Sequence, residues 1–241
     1  MKLNNYLCAF WVGILLSYNV VASECTFEEV LKISNVEDLK YAEYLGKLDL
    51  TAPLSYKEHK YIGYIGESKK KLSVRFTSIK RSNEGYAITG NTTVNNKNDR
   101  VFNGQLSINK SYAFSNEMIN TPAAQHYVYG FSVLDYKFNE DPSLNATGVF
   151  KGKSLFFWKI NNSNKVEYDE PFAGYDGSRT NQFLGTWTSF KTKKVFQSNW
   201  GIHRIPCSDD LDIGTSEFVP DPKYYNVGWR DYFLGERVVN E

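Results

Sequence analysis

From about Lys60 onward the chain repeats one pattern, in which short runs of alternating apolar and polar residues are separated by clusters of Asn, Asp, Ser and Pro. Leu72, Val74 and Phe76 alternate with Ser73, Arg75 and Thr77, and Phe102, Gly104, Leu106 and Ile108 alternate with Asn103, Gln105 and Ser107. A period of two puts each set on one face of an extended strand, so these runs read as half-buried β-strands. Further strand runs cover Tyr86 to Val94, Tyr127 to Phe138, Thr147 to Ile160, Phe183 to Phe190 and Val195 to Ile205. Their separators, Asn95-Asn96-Lys97-Asn98-Asp99, Asn139-Glu140-Asp141-Pro142-Ser143 and Asn161-Asn162-Ser163-Asn164, consist of residues that tolerate tight turns. No helical pattern is interleaved, so the strands are expected to pair as an antiparallel meander. With this many strands, closure into a barrel is the simplest way to remove exposed edges.

Two details point to curvature. Phe131 and Val133 lie on one face while Leu134, Tyr136 and Phe138 continue on the other, a flip of the apolar register that a β-bulge in this strand would make. Gly90, Gly104, Gly130, Gly148, Gly152 and Gly185 fall in or beside strand runs, where glycine marks a bend or a close backbone approach.

The N-terminus is of another kind. Met1-Lys2, an apolar run from Tyr6 to Leu16 and the small residues Val20-Val21-Ala22-Ser23 have the layout of a secretory signal peptide cleaved near Ala22 or Ser23. Ser17, Tyr18 and Asn19 interrupt the run, which is too short to span a membrane, so the mature chain is expected to have no membrane span and to be periplasmic or secreted. Cys8 leaves with the leader, and Cys25 and Cys207 are expected to form one disulfide in an oxidising compartment. Closing so long a loop stabilises by at most ~5 kcal/mol in the chain-entropy model.

Thr26 to Leu48 carries Val30, Leu31, Val36, Leu39, Ala42, Leu45 and Leu48, and the spacing of three to four from Leu39 predicts a short amphipathic helix. The organisation is therefore a leader (1–23), an N-terminal helical segment (24–56), a β-barrel domain (57–207) and an aromatic tail (208–241). Pro220-Asp221-Pro222 excludes regular structure at one point of that tail. Tyr224, Tyr225, Trp229, Tyr232 and Phe233 are expected to pack it back on the barrel.

Tyr61-Ile62-Gly63-Tyr64-Ile65-Gly66, Glu84-Gly85-Tyr86, Phe102-Asn103-Gly104, Phe138-Asn139-Glu140, Thr147-Gly148-Val149-Phe150-Lys151-Gly152 and Phe183-Leu184-Gly185-Thr186-Trp187 follow one another along the chain. In that order they resemble a group of uncharacterised secreted bacterial proteins of calycin-like or avidin-like type, over about Tyr61 to Gln197. The resemblance implies a small meander barrel with a glycine on most strands and a Trp on a late one. It implies no particular ligand, because the Gly-x-Trp of lipocalins belongs on the first strand and the polar set that holds biotin in avidins has no counterpart here.

Chemistry is mostly excluded. A formal net charge of +1 gives no footprint for nucleic acid. Signal-peptide removal takes Lys2 and no acid, leaving basic and acidic residues equal in number. His59, His126 and His203 are isolated from one another and from cysteine, so no metal site and no cofactor are expected. No nucleophile elbow, P-loop or dinucleotide fingerprint occurs, and no catalytic residue is assigned. Asp209, Asp210 and Asp212 do not follow the EF-hand spacing. Lys69-Lys70-Lys71 and Lys191 to Lys194 flank strand ends, where lysines keep edges soluble.

Aromatics are the one positive excess, at 16% of the chain. Most fill the core, while Tyr127, Tyr129, Trp158, Trp187 and Trp200 are the candidates for an aromatic cup at the barrel mouth. The expectation is an exported, non-enzymatic binding protein, either a carrier of a small apolar or glycan ligand, or an inhibitor or immunity-type protein docking on another exported protein. The alternative is a cell-envelope glycan hydrolase using the loop carboxylates Glu140, Asp141, Glu167, Asp169 and Glu170, since two acids across a cleft suffice for that reaction.

Overall fold

A computed structural model describes residues 36–38, 48–55, 61–114, 127–168, 181–215 and 217–232. The elements are β1 (Val36–Asp38), α1 (Thr51–Leu54), β2 (Tyr61–Ile65), β3 (Lys70–Ser82), β4 (Gly85–Val94), β5 (Asn98–Phe114), β6 (Tyr127–Glu140), β7 (Gly148–Asn161), β8 (Val166–Tyr168), β9 (Gln182–Ser189) and β10 (Val195–Gly201). Short 3-10 helices follow at Asp209–Leu211 and Pro222–Val227.

All strand pairs are antiparallel, and each long strand pairs with its neighbours in sequence. Pairing of β10 with β2 returns the last strand to the first, so β2-β3-β4-β5-β6-β7-β9-β10 is a closed circuit, with β1 added on β5 and β8 on β7. The fold is thus an all-β antiparallel meander closed into a ring of uneven height. Local chemistry sets its corners. Asn95 and Asn96 sit at φ 52° and 54° in the β4–β5 turn, the left-handed conformation that asparagine tolerates best after glycine.

Inward residues stack in layers, because every second residue of each strand faces the interior. Register aligns Phe138, Phe150, Trp187 and Phe196 in one layer, and Leu134, Ser154, Phe183 and Trp200 in another. Trp200 stacks on Phe183 at 5.1 Å and meets Phe150 edge-on at 5.6 Å. One barrel end is closed by the segment around α1, whose Leu48, Leu50 and Leu54 join the core. The Leu50 N–H donates to the Tyr86 hydroxyl at 2.9 Å and fixes this plug.

The tail covers the outer face of β2. Ile62 and Tyr64 form a second apolar cluster with Ile205, Leu211, Phe218 and Trp229. Trp229 donates through Nε1 to the Lys69 carbonyl at 2.7 Å, and Lys69 Nζ donates to the Ser208 carbonyl at 2.6 Å and pairs with Asp209 at 3.0 Å. Lys69 is therefore a buried anchor for the tail rather than a solvated lysine of a surface run.

One expectation is corrected, and another lies outside the described residues. Alternation in β6 runs unbroken from Gly130 to Glu140, with even-numbered residues inward, and the extra residue is Asn109 on the partner strand β5. Phe131 is apolar without a flip because the outer face is also buried there, against Tyr112 at 4.9 Å and Phe157 at 5.5 Å. The helix expected from Leu39 to Leu48 falls almost wholly outside the described residues. Within the N-terminal segment, Val36–Asp38 is a strand on β5 and Thr51–Leu54 a single helical turn.

Candidate ligand site at the open end of the barrel

The end opposite α1 is open. The turns β2–β3, β4–β5, β6–β7 and β9–β10 all lie there and surround a cleft of about 740 Å³. Its wall combines Ile65, Val94, Phe150, Trp187 and Phe196 with the polar Lys70, Arg100, Glu67 and Glu140. Trp187 and Phe196 meet at 5.9 Å and Phe150 lies 6.4 Å from Trp187, so one wall is a continuous aromatic surface.

Glu140, at the end of β6, is the best-fixed polar group of the mouth. Oε1 accepts from the Thr92 hydroxyl at 2.8 Å, and Oε2 accepts from the Gly148 N–H at 2.8 Å and from Trp187 Nε1 at 2.9 Å. One buried carboxylate thereby ties β4, β7 and β9 together and sets the indole plane. Arg100 is held by the main-chain carbonyls of Asp99 (2.8 Å) and Asn145 (3.0 Å), and its Nε makes no hydrogen bond.

The five aromatic candidates do not meet in one cup. Trp187 alone lines the cleft. Trp200 is fully buried a layer and more below it, and Trp158, also fully buried, lies toward the plugged end with Nε1 donating to Ser132 Oγ at 2.9 Å. Tyr127 and Tyr129 are odd-numbered residues at the start of β6, hence on its outer face and at the plugged end, with their rings 5.9 Å apart. The mouth residues that periodicity leaves unnamed are Phe150, Phe196 and Arg100. Counting the strand register outward from Trp187 finds the first two.

The carboxylates of the hydrolase alternative are also dispersed. Glu167 on β8 pairs with Lys159, which pairs with Tyr129. Eleven residue steps along β6 then separate Tyr129 from Glu140, roughly 35 Å at ~3.3 Å per residue, whereas glycosidase carboxylates stand about 5 to 9.5 Å apart. Glu167 accepts from Asn161 Nδ2 at 2.8 Å, and Asp141 is exposed and accepts from Ser143 in its turn. Asp169 and Glu170 lie outside the described residues.

Other singled-out groups are engaged elsewhere. Asp210 accepts from Lys223 Nζ at 2.7 Å and from the Tyr224 hydroxyl at 2.8 Å, and the Lys223 hydrogen bond leads in holding its carboxyl down at about 2. Asp212 pairs with Arg204. Burial raises the Tyr64 hydroxyl well above the usual phenol range; it donates to the Cys207 carbonyl at 2.8 Å. Among the described residues no group of three or more His, Cys, Asp or Glu is placed to hold a metal ion. His203 is exposed, while His59, His126 and Cys25 lie outside the described residues. Lys191, Lys193 and Lys194 occupy the exposed β9–β10 turn beside the cleft. No helix among the described residues is long and apolar enough to cross a membrane.

Comparisons of the chain with protein-family models, with curated proteins and with solved structures return no match.

Proposed function

We propose that this is an exported, non-enzymatic binding protein that carries a small, largely apolar ligand in the open end of its barrel. The observation that carries the reading is the cleft itself: about 740 Å³, within the ~300–1,000 Å³ range of small-molecule sites. It has an aromatic wall of Phe150, Trp187 and Phe196, and its polar groups Arg100 and Glu140 are held in fixed orientations by their own hydrogen bonds. Pre-set polar groups on an apolar wall orient a ligand without the cost of ordering them on binding. Closure of the other end by Leu48, Leu50 and Leu54 makes the barrel a cup rather than a channel. The meander topology is also what the calycin-like resemblance implies. Carriage is favoured over glycan hydrolysis because, of the described carboxylates that alternative relies on, Glu140 alone lines the cleft, where it already accepts three hydrogen bonds, and Glu167 is at the far end of the barrel.

Native mass spectrometry of the mature protein, purified gently from the exported fraction of its own host, tests this. A reproducible small-molecule adduct that disappears in Phe196→Asp is the expected result. A partner protein at fixed stoichiometry with an empty cleft would replace the carrier by the inhibitor or immunity reading. Export and a Cys25–Cys207 bridge belong to the same proposal, and titration of the unreduced mature protein with a thiol reagent is expected to find no free thiol. Two free thiols would remove the bridge.

A further inference from the structure

This inference rests on the mouth being the ligand entrance and concerns what lies beneath the cleft floor. Three polar side-chain groups of the barrel interior make no hydrogen bond: the Tyr136 hydroxyl, the Ser198 hydroxyl and the Trp200 indole N–H. Their residues are 2%, 0% and 0% exposed. Buried polar groups are hydrogen-bonded in the great majority of cases, so three such groups in one region call for a common cause.

Strand register brings them together. Tyr136 pairs with Gly152, and Gly152 pairs with Gly185. The Tyr136 side chain crosses these two residues, and its hydroxyl ends 2.5 Å from where a Cβ on Gly185 would stand. Any larger residue at Gly185 would evict it. The register of β9 on β10 sets Ser198 across from Gly185. Trp200 is the next inward residue of β10, and its ring lies 5.2 Å from that of Tyr136. Tyr136 and Ser198 lie in the layer directly under Phe150, Trp187 and Phe196, the aromatic wall of the cleft, and Trp200 lies one layer deeper.

The donor set defines the chemistry it takes. An indole N–H only donates, and phenol and alcohol hydroxyls can both donate, so all three groups are donors in want of an acceptor. All three are neutral, and a carboxylate brought among them would lose its hydration without a countercharge. We propose that these three groups form a polar recess that receives the carbonyl oxygen of a small, uncharged, otherwise apolar molecule, whose body remains against Phe150, Trp187 and Phe196. Side-chain movement of the aromatic wall admits it, as the three groups do not themselves line the cleft.

Equilibrium dialysis of the mature protein with 2-acetylnaphthalene and with 2-isopropenylnaphthalene, in which a methylene group replaces the carbonyl oxygen, tests the proposal. The ketone is expected to bind about tenfold more tightly, the equivalent of ~1.4 kcal/mol. Tyr136→Phe and Ser198→Ala are each expected to cut that preference to about twofold, with hydrocarbon binding and the unfolding midpoint unchanged. Equal affinity for the two probes in the native protein, or a preference that survives both substitutions, overturns the recess and leaves the cleft reading standing. A midpoint lowered by Tyr136→Phe identifies a permanent internal partner for the hydroxyl and also overturns it. Failure of both probes to bind at all overturns the cleft reading, and the recess with it.

Discussion

Replacing Trp229 by alanine is expected to destabilise the protein by about 3–5 kcal/mol, the usual cost of truncating a large aromatic in a close-packed site. Trp229 is 0% exposed, packs on Phe218 at 5.2 Å and Tyr232 at 6.2 Å, and shares a cluster with Ile62 and Tyr64 of β2. Its loss leaves a cavity between tail and barrel and deprives the Lys69 carbonyl of the indole donor it accepts from at 2.7 Å. For a chain of this size that is a fall in midpoint of roughly 8–15 °C. Trp229→Phe, which keeps a ring and loses the donor, is expected to cost about a third as much. Thermal unfolding of the two variants checks both values. An unchanged midpoint in Trp229→Ala would mean that the tail is not part of the cooperative unit. The effect belongs to the outer face of β2, so the cleft on the inner side is expected to keep its ligand below the new midpoint.

The second large effect is at Glu140. Glu140→Ala removes the acceptor of Thr92, Gly148 and Trp187 together. Thr92 can turn its hydroxyl elsewhere, whereas the Gly148 N–H and the Trp187 indole are fixed by the backbone and by ring packing. At ~1–3 kcal/mol for each buried donor left without an acceptor, the expected loss is about 3–4 kcal/mol in chemical denaturation. Glu140→Gln separates geometry from charge. Its carbonyl oxygen can serve Gly148 and Trp187 while its amide donates to the Thr92 hydroxyl, so the cost is expected to stay near ~1 kcal/mol. Ligand affinity should follow the same order, with a weak effect for glutamine and a strong one for alanine, because the carboxylate acts by setting the indole plane. If Glu140→Gln abolished binding while Glu140→Ala unfolded no more easily than the native protein, the brace would be the wrong account and direct charge recognition the right one.

The meander was legible in the sequence because strand identity is a local property. Leu72, Val74 and Phe76, or Phe102, Leu106 and Ile108, state a two-residue period within a few positions, and the Asn-rich clusters state where the chain turns. Tail packing was legible for a similar reason, since an exposed run of Tyr224, Tyr225, Trp229 and Tyr232 has too much apolar surface to leave in water. What the sequence could not fix is height along the barrel and side of the wall. Trp158, Trp187 and Trp200 all carry the same signal of an aromatic in a strand. Only the register of β7, β9 and β10 puts Trp187 at the mouth, Trp200 in the filled interior and Trp158 toward the plugged end. Tyr127 and Tyr129 miss the cup by two independent counts, being at the plugged end and on the outer face. The unbroken alternation of β6 was hidden for a related reason. Phe131 is buried on the outside by Tyr112 and Phe157, so its face is decided by neighbours on other strands. Glu140 shows the same limit in a polar residue: it reads as part of a solvated turn, and becomes a buried brace only because Thr92, Gly148 and Trp187 close around it from three other strands. Period and turn chemistry act over a few residues, whereas the cup and its polar recess depend on the stagger of eight strands summed around the closed circuit, a quantity that exists only once the barrel has closed.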